Sequence, residues 1–158
     1  MEKFIQPFIK TCEAVFRDFC QTDITIGRVF FITKDEYESN WDISGLIGLS
    51  GEVAGAVAIS MKASTAFRIT SILTSGAKHT EFDSDVNDAV GEIVNIISGN
   101  IKKDFEEELR IKISLPSIII GKDHTIVWPS EKARIICIPF NVFSDQEFCL
   151  SVALELAK

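Results

Sequence analysis

The chain has 158 residues, 46% of them hydrophobic and 25% charged, with a formal net charge of −7. That length fits one domain able to bury roughly 70% of its unfolded surface, and that composition excludes a disordered chain. The acidic balance disfavours nucleic acid and anionic membrane surfaces, because both need clustered Lys and Arg.

The opening residues, Met1-Glu2-Lys3-Phe4-Ile5-Gln6-Pro7, lack the apolar run of a signal peptide. No stretch approaches the roughly 18 uninterrupted apolar residues of a membrane-spanning helix. No membrane insertion and a cytoplasmic location are expected. Residues 3–20 place Phe4, Ile5, Phe8, Ile9, Cys12, Val15, Phe16 and Phe19 at helical spacing on one face. Residues 24–33, rich in β-branched and aromatic types, read as a strand, and Lys34 to Asn40 as a polar loop. Two further strands follow at 42–50 and 52–61, joined by a tight turn at Ser50-Gly51. The second alternates Val53, Gly55, Val57, Ile59 and Met61 against Ala54, Ala56, Ala58 and Ser60. So small a face is expected to let a helix approach closely.

Ser64 or Thr65 is expected to cap a short helix running to Leu73, with Ser75-Gly76 ending it. A second long helix begins near Asp83-Ser84, which offers N-cap oxygens and acids at the positive end of the helix dipole. It runs to about Glu108. Strands at about 110–120, 133–142 and 147–156 finish the chain. The last sets Phe148, Leu150, Val152, Leu154 and Leu156 on one face. Pro139, in the fifth strand, predicts an edge, a bulge or a local break.

These elements predict an α/β fold of the α+β type, a single domain over 1–158. A mostly antiparallel or mixed six-stranded sheet carries two long helices and one short helix on one side, since both amphipathic helices need a sheet face to cover. The order repeats itself: a long helix and three strands at 3–61, then again at 84–156. Cys12, Cys20, Cys137 and Cys149 are scattered, without a C-x-x-C pair. Neither a disulfide framework nor a metal site is expected, and the thiols read as small buried hydrophobes. His79 and His124 fall in expected loops.

The second long helix carries the most informative pattern. Val86, Ala89, Val90, Ile93, Ile96, Ile97 and Ile101 cluster on one side, while Asp85, Asp88, Glu92, Asn95 and Gly99 follow the other. Glu92 and Asn95 therefore project a carboxylate and a carboxamide from neighbouring positions on a rigid rod. E-x-x-N alone is a short pattern that any solvated helix face also produces. Gly91 and Gly99 permit close approach by a partner surface, and serve helix-to-sheet packing equally well. A phosphate-binding Gly-rich loop and a G-x-S-x-G nucleophile are both missing, so nucleotide hydrolysis and serine hydrolysis rank low.

The order of elements, the Ile47-Gly48-Leu49-Ser50-Gly51…Gly55 hairpin and Glu92-x-x-Asn95-x-x-x-Gly99-Asn100 together resemble the CheC/CheX/FliY family of chemotaxis phosphatases, over nearly the whole chain. CheC-type members carry two copies of the acid–amide motif, one on each long helix. Here the first helix offers Glu13 but has Phe16 where Asn would stand. With one intact copy, the chain is most similar to the CheX branch. The resemblance implies hydrolysis of the phospho-aspartate of a CheY-like response regulator. Its Mg2+ and active-site Lys belong to the regulator, so no cofactor is expected on this chain. Asn95 would position the attacking water and Glu92 would pair with the regulator's Lys. Asp88, Gly91, Gly99 and Lys102 are candidates for docking, although Asp88 also suits the helix dipole and Lys102 a soluble helix end. A homodimer formed by joining sheets is implied too, with the apolar final strands as its interface. The alternatives are a non-catalytic regulator-binding module and a scaffold dimer of the same fold.

Overall fold

The computed structural model describes residues 2–33, 40–105, 110–126, 128 and 134–156, apart from the side chains of 2–4 and 156. The expected loop at 34–39, the helix tail to Glu108, position 133 and the side chains of Phe4 and Leu156 lie outside the described residues. The elements run α1 (Glu2–Cys20), β1 (Thr25–Ile26), β2 (Phe30–Ile32), β3 (Trp41–Gly51), β4 (Val53–Met61), α2 (Ala63–Leu73), α3 (Ser84–Phe105), β5 (Ile111–Ile113), β6 (Ser117–His124), β7 (Ile135–Val142) and β8 (Gln146–Leu156). The class is as expected, but the described strands number eight rather than six because two expected strands are each broken in two.

Both breaks have a local cause. The first falls after Ile26, where the Gly27 N–H donates to the Pro139 carbonyl at 2.7 Å. Pro139 has no N–H to return, so the ladder lapses there. The second lies between β5 and β6 at Ser114-Leu115-Pro116, where Pro116 likewise lacks a donor and the Ser114 N–H reaches the Gly48 carbonyl at 2.9 Å. Pro139 thus does mark a break, but in the strand beside it. β7 itself runs through, paired on both sides.

The sheet order is β1-β7-β8-β4-β3-β5, with β2 also on β7 and β6 also on β3, and every pairing is antiparallel. This arrangement gives the sequence repeat a spatial meaning. Each half contributes a helix, a broken strand and a long hairpin, β3–β4 or β7–β8. The hairpins meet at β4 and β8 in the middle, and each broken strand crosses to the outer side of the other half's hairpin. β8 is therefore an inner strand, which corrects the expectation that the final strands are free to form a dimer interface. Among the described residues, the open edges are β1–β2 and β5–β6.

The helices cover one face of the sheet. Phe8, Phe16, Ile47, Val57, Ile69, Val90, Ile97 and Phe148 belong to one core between helices and sheet. Phe16 stacks on Phe148 with ring centroids 4.4 Å apart and 6° between planes. A second cluster lies on the opposite face, where Ala56, Ala58, Cys137, Cys149 and Ala153 pack with Ile126 and Trp128. The small residues of β4 thus sit under Trp128 and not under a helix, a correction to the sequence expectation. The residue that admits α3 is Gly45 on β3, where an added Cβ would lie 3.0 Å from Val94 Cγ1 and 3.3 Å from the Val90 carbonyl.

The α2 cap also differs. Lys62 holds the N-cap position, and the Ala63 N–H donates to Asp42 Oδ2 of β3 at 2.9 Å, so Ser64 and Thr65 lie inside the helix. Its C-terminus follows the expectation, with Ser75 at φ 58° and Gly76 at φ 93°. All four cysteines are buried and free. Burial pushes the Cys20 thiol up to about 11, which keeps it uncharged and inert. Among the described residues, no helix is long and apolar enough to cross a membrane.

Candidate functional site

The N-terminus of α3 is fixed by Asp83, whose Oδ1 accepts the Val86 N–H at 3.0 Å while its carbonyl accepts from Asn87. From this start the helical repeat buries Val86, Val90, Ile93, Val94, Ile97 and Ile101 against the sheet. The same repeat brings Asp85, Asp88, Glu92 and Asn95 to the outer side in successive turns.

Glu92 is exposed and Asn95 half-buried. Neither side chain has a hydrogen bond to another described residue, so both polar ends remain available to a partner. They open into a groove of about 750 Å³ that runs along α3. Asp85, Asn87, Asp88, Gly91 and Ile96 share its floor. Phe19 of α1 and Leu73 and Thr74 of α2 line it, as do Leu115, Pro116 and Ile118 from the β5–β6 edge. Its described lining carries three carboxylates, two carboxamides and no cation. Such a surface attracts a partner that brings positive charge.

Four of the six expected residues, Asp88, Gly91, Glu92 and Asn95, meet in this groove, whereas Gly99 and Lys102 lie outside its lining. An added Cβ at Gly91 would stand 3.5 Å from Ile118 Cδ1, so that glycine packs against the β6 edge. At Gly99 an added Cβ would meet nothing within 4 Å. The α1 position equivalent to Asn95 is closed, since Phe16 has 0% exposure. The sequence reading missed Leu115, Phe19 and Leu73. The signal for the first was present, because Ser114-Leu115-Pro116 places a proline inside a strand-like run.

Two other polar clusters have site-like geometry. His79, Asp83 and Asp85 hold ligand-type atoms within 4.8 Å of one another. Both nitrogens of His79 are already engaged, Nδ1 with Asp83 Oδ2 at 2.9 Å and Nε2 with Thr74 Oγ1 at 3.0 Å. This trio therefore serves to join helices. On the far face, His124, at the end of β6 rather than in a loop, donates from Nδ1 to the Gly121 carbonyl, leaving Nε2 2.7 Å from Ser44 Oγ. That geometry resembles a serine–base pair, but Ser44 has 0% exposure and bonds Ser60 at 2.6 Å. No substrate reaches it.

The description chemotaxis phosphatase CheX matches residues 43–141, more than half the chain and the whole of the groove-bearing helix. The chain belongs to this chemotaxis phosphatase family. It is 25% identical over 111 residues to the CheY-P phosphatase CheX of Thermotoga maritima, with 70% of each protein covered. The crystal structure of the chemotaxis protein CheX from Desulfovibrio desulfuricans superposes with a TM-score of 0.86 at 24% identity, covering 97% of this chain and 99% of that one. A complex of CheX with CheY, BeF3 and Mg2+ from Borrelia burgdorferi shares the fold at a TM-score of 0.79 and 24% identity, covering 96% of this chain and 97% of that one.

Proposed function

We propose that residues 1–158 form one phosphatase domain that hydrolyses the phospho-aspartate of a CheY-like response regulator. The observation that carries the reading is the pairing of Glu92 with Asn95 on the open side of α3, within a groove that has no cation among its described lining residues. An acyl phosphate held by a regulator already has a Mg2+ and a Lys beside it, so the partner supplies most of the electrostatic stabilisation. What remains is to hold a water in line with phosphorus. The Asn95 carboxamide has an acceptor and two donors, so it can orient that water, yet it is no base at neutral pH. The gain comes from positioning. Water oxygen bonds to phosphorus, the bond to the aspartyl oxygen breaks, and inorganic phosphate leaves.

Glu92 pairs with the regulator's Lys and fixes the docking angle, a charge-assisted contact that strengthens as water is excluded. Asp88 adds negative charge one turn earlier, and Gly91 keeps the surface between them low. Lys102 sits near the C-terminal end of α3 and complements the helix dipole. The chain needs no metal of its own for this chemistry. The same reading puts it in the cytoplasm. It also favours a homodimer joined through sheet edges, for which β1–β2 and β5–β6 are available.

The test is the decay of phosphorylated CheY-type regulator with and without this protein. Acceleration at catalytic ratios supports the phosphatase. Tight association without acceleration would make the chain a binding module.

A further inference from the structure

Leu115 is the most exposed large hydrophobic residue described in the chain, at 87%, where the others lie between 36% and 46%. A single exposed leucine usually needs no explanation. This one is held in place. The Ser114 N–H donates to the Gly48 carbonyl at 2.9 Å, and the Gly48 N–H donates to Ser114 Oγ at 2.9 Å. Ser114 Oγ in turn donates to the Leu115 carbonyl at 2.8 Å, and Pro116 fixes its own φ and biases Leu115 toward extended backbone. The leucine therefore stands on a clasped loop, on the wall of the groove that holds Glu92 and Asn95.

We infer that Leu115 is an apolar anchor for the phosphorylated regulator, inserting beside the phosphoryl site while α3 faces the phosphoryl group. This rests on the phosphatase reading above. The carboxylates of Asp85, Asp88 and Glu92 steer a cation-bearing partner, but exposed charges are hydrated and screened, and they hold a complex weakly. Lasting affinity at an interface comes from a few desolvated side chains on preorganised backbone. Leu115 offers the most apolar surface to be desolvated on docking among the described groove residues, it stands on clasped backbone, and its wall is continuous with the acid–amide surface. It is thus a docking and specificity residue, acting on affinity rather than on the chemical step.

The experiment is steady-state turnover of a CheY-type regulator phosphorylated with a small acyl-phosphate donor, using wild type, Leu115→Ala and Leu115→Asp. Thermal unfolding and sedimentation are run alongside. Both variants should raise KM at least about tenfold, as for a hot-spot anchor, with kcat and melting temperature close to wild type. Ser114→Ala, which removes the two Oγ bonds of the clasp and keeps the backbone one, should raise KM by less. Unchanged KM in Leu115→Asp, with an active wild type, overturns the anchor alone. Loss of a wild-type dimer in Leu115→Asp without a change in KM reassigns the residue to self-association, which also overturns it. An inactive wild type removes the phosphatase reading itself, and the anchor with it.

Discussion

His79 and Asp83 lock the start of the site helix to the end of the preceding one. Nδ1 of His79 lies 2.9 Å from Asp83 Oδ2, and only 4% of the histidine side chain is exposed. The other ring nitrogen meets Thr74, the C-cap residue of α2. The His79 hydrogen bond, followed by that from the Val86 N–H, holds the Asp83 carboxyl below its usual range. A carboxylate depressed in this way contributes stability above its unfolded value of about 4, and loses it as pH falls through the folded one. Asp83→Asn retains an N-cap acceptor but not the charge. Its melting temperature should be lower than wild type at neutral pH, and the gap should close as pH falls below about 4. Parallel curves from neutral pH to below about pH 4 would show that the Asp83 charge contributes nothing to stability.

Asn95→Ala should leave unfolding unchanged, because the residue lies on the outer side of α3 with no described side-chain partner. Stimulated dephosphorylation should fall by about 100-fold or more, the scale expected when a reacting group loses its positioning. KM should hardly move. Glu92→Ala should differ in kind, raising KM and lowering kcat together, since docking angle and water position are linked. Measuring kcat and KM for both variants separates the two roles. Unfolding of either would place the pair in the core instead.

Much of this was legible in the sequence, for identifiable reasons. The long helices and the β3–β4 and β7–β8 hairpins follow from periodicity, which is a local property. Asp83 was readable as a cap because its acceptor and donor lie three residues apart. The α2 cap was not, because Asp42 arrives from β3, 21 residues away in the chain. The break after Ile26 depends on Pro139 in the facing strand, so the interrupted segment does not announce it, whereas Pro116 marks the β5–β6 break within its own segment. Glu92 and Asn95 were visible as an outward pair, whereas Leu115, Phe19 and Leu73 become its walls only after the β6 edge and two other helices close around α3.

Gly45 sets how closely α3 lies on the sheet. Gly45→Ala puts a methyl 3.0 Å from Val94 Cγ1 and 3.2 Å from Val90 Cγ1. A side chain yields by a few tenths of an ångström, but the Val90 carbonyl at 3.3 Å moves only with the helix. The substitution should cost about 1–3 kcal/mol and Gly45→Val more. Urea denaturation measures this. A matching fall in turnover by either variant would show that the seat of α3, on the buried side of the helix, governs the height of Asn95.

Phe16→Asn would write an E-x-x-N motif into α1 beside Glu13, and it should not create a second site. The residue is fully buried and stacked on Phe148. Removing such a ring costs about 3–5 kcal/mol, and the amide adds an unsatisfied polar group. The expected result is a lower urea midpoint with no gain in phosphatase activity per folded molecule. A stable variant with doubled turnover would mean that α1 can rotate this position outward.

Gly99 tests the extent of the docking face in the opposite direction. It sits inside α3, where glycine is about 1 kcal/mol less favourable than alanine, and its added Cβ would meet nothing within 4 Å. Gly99→Ala should therefore raise the melting temperature and leave KM for the regulator as it was, because the residue lies beyond the groove. A raised KM in a stabilised protein would instead extend the docked surface a full turn past Asn95. The glycine would then be there to let the partner's backbone close in on the helix.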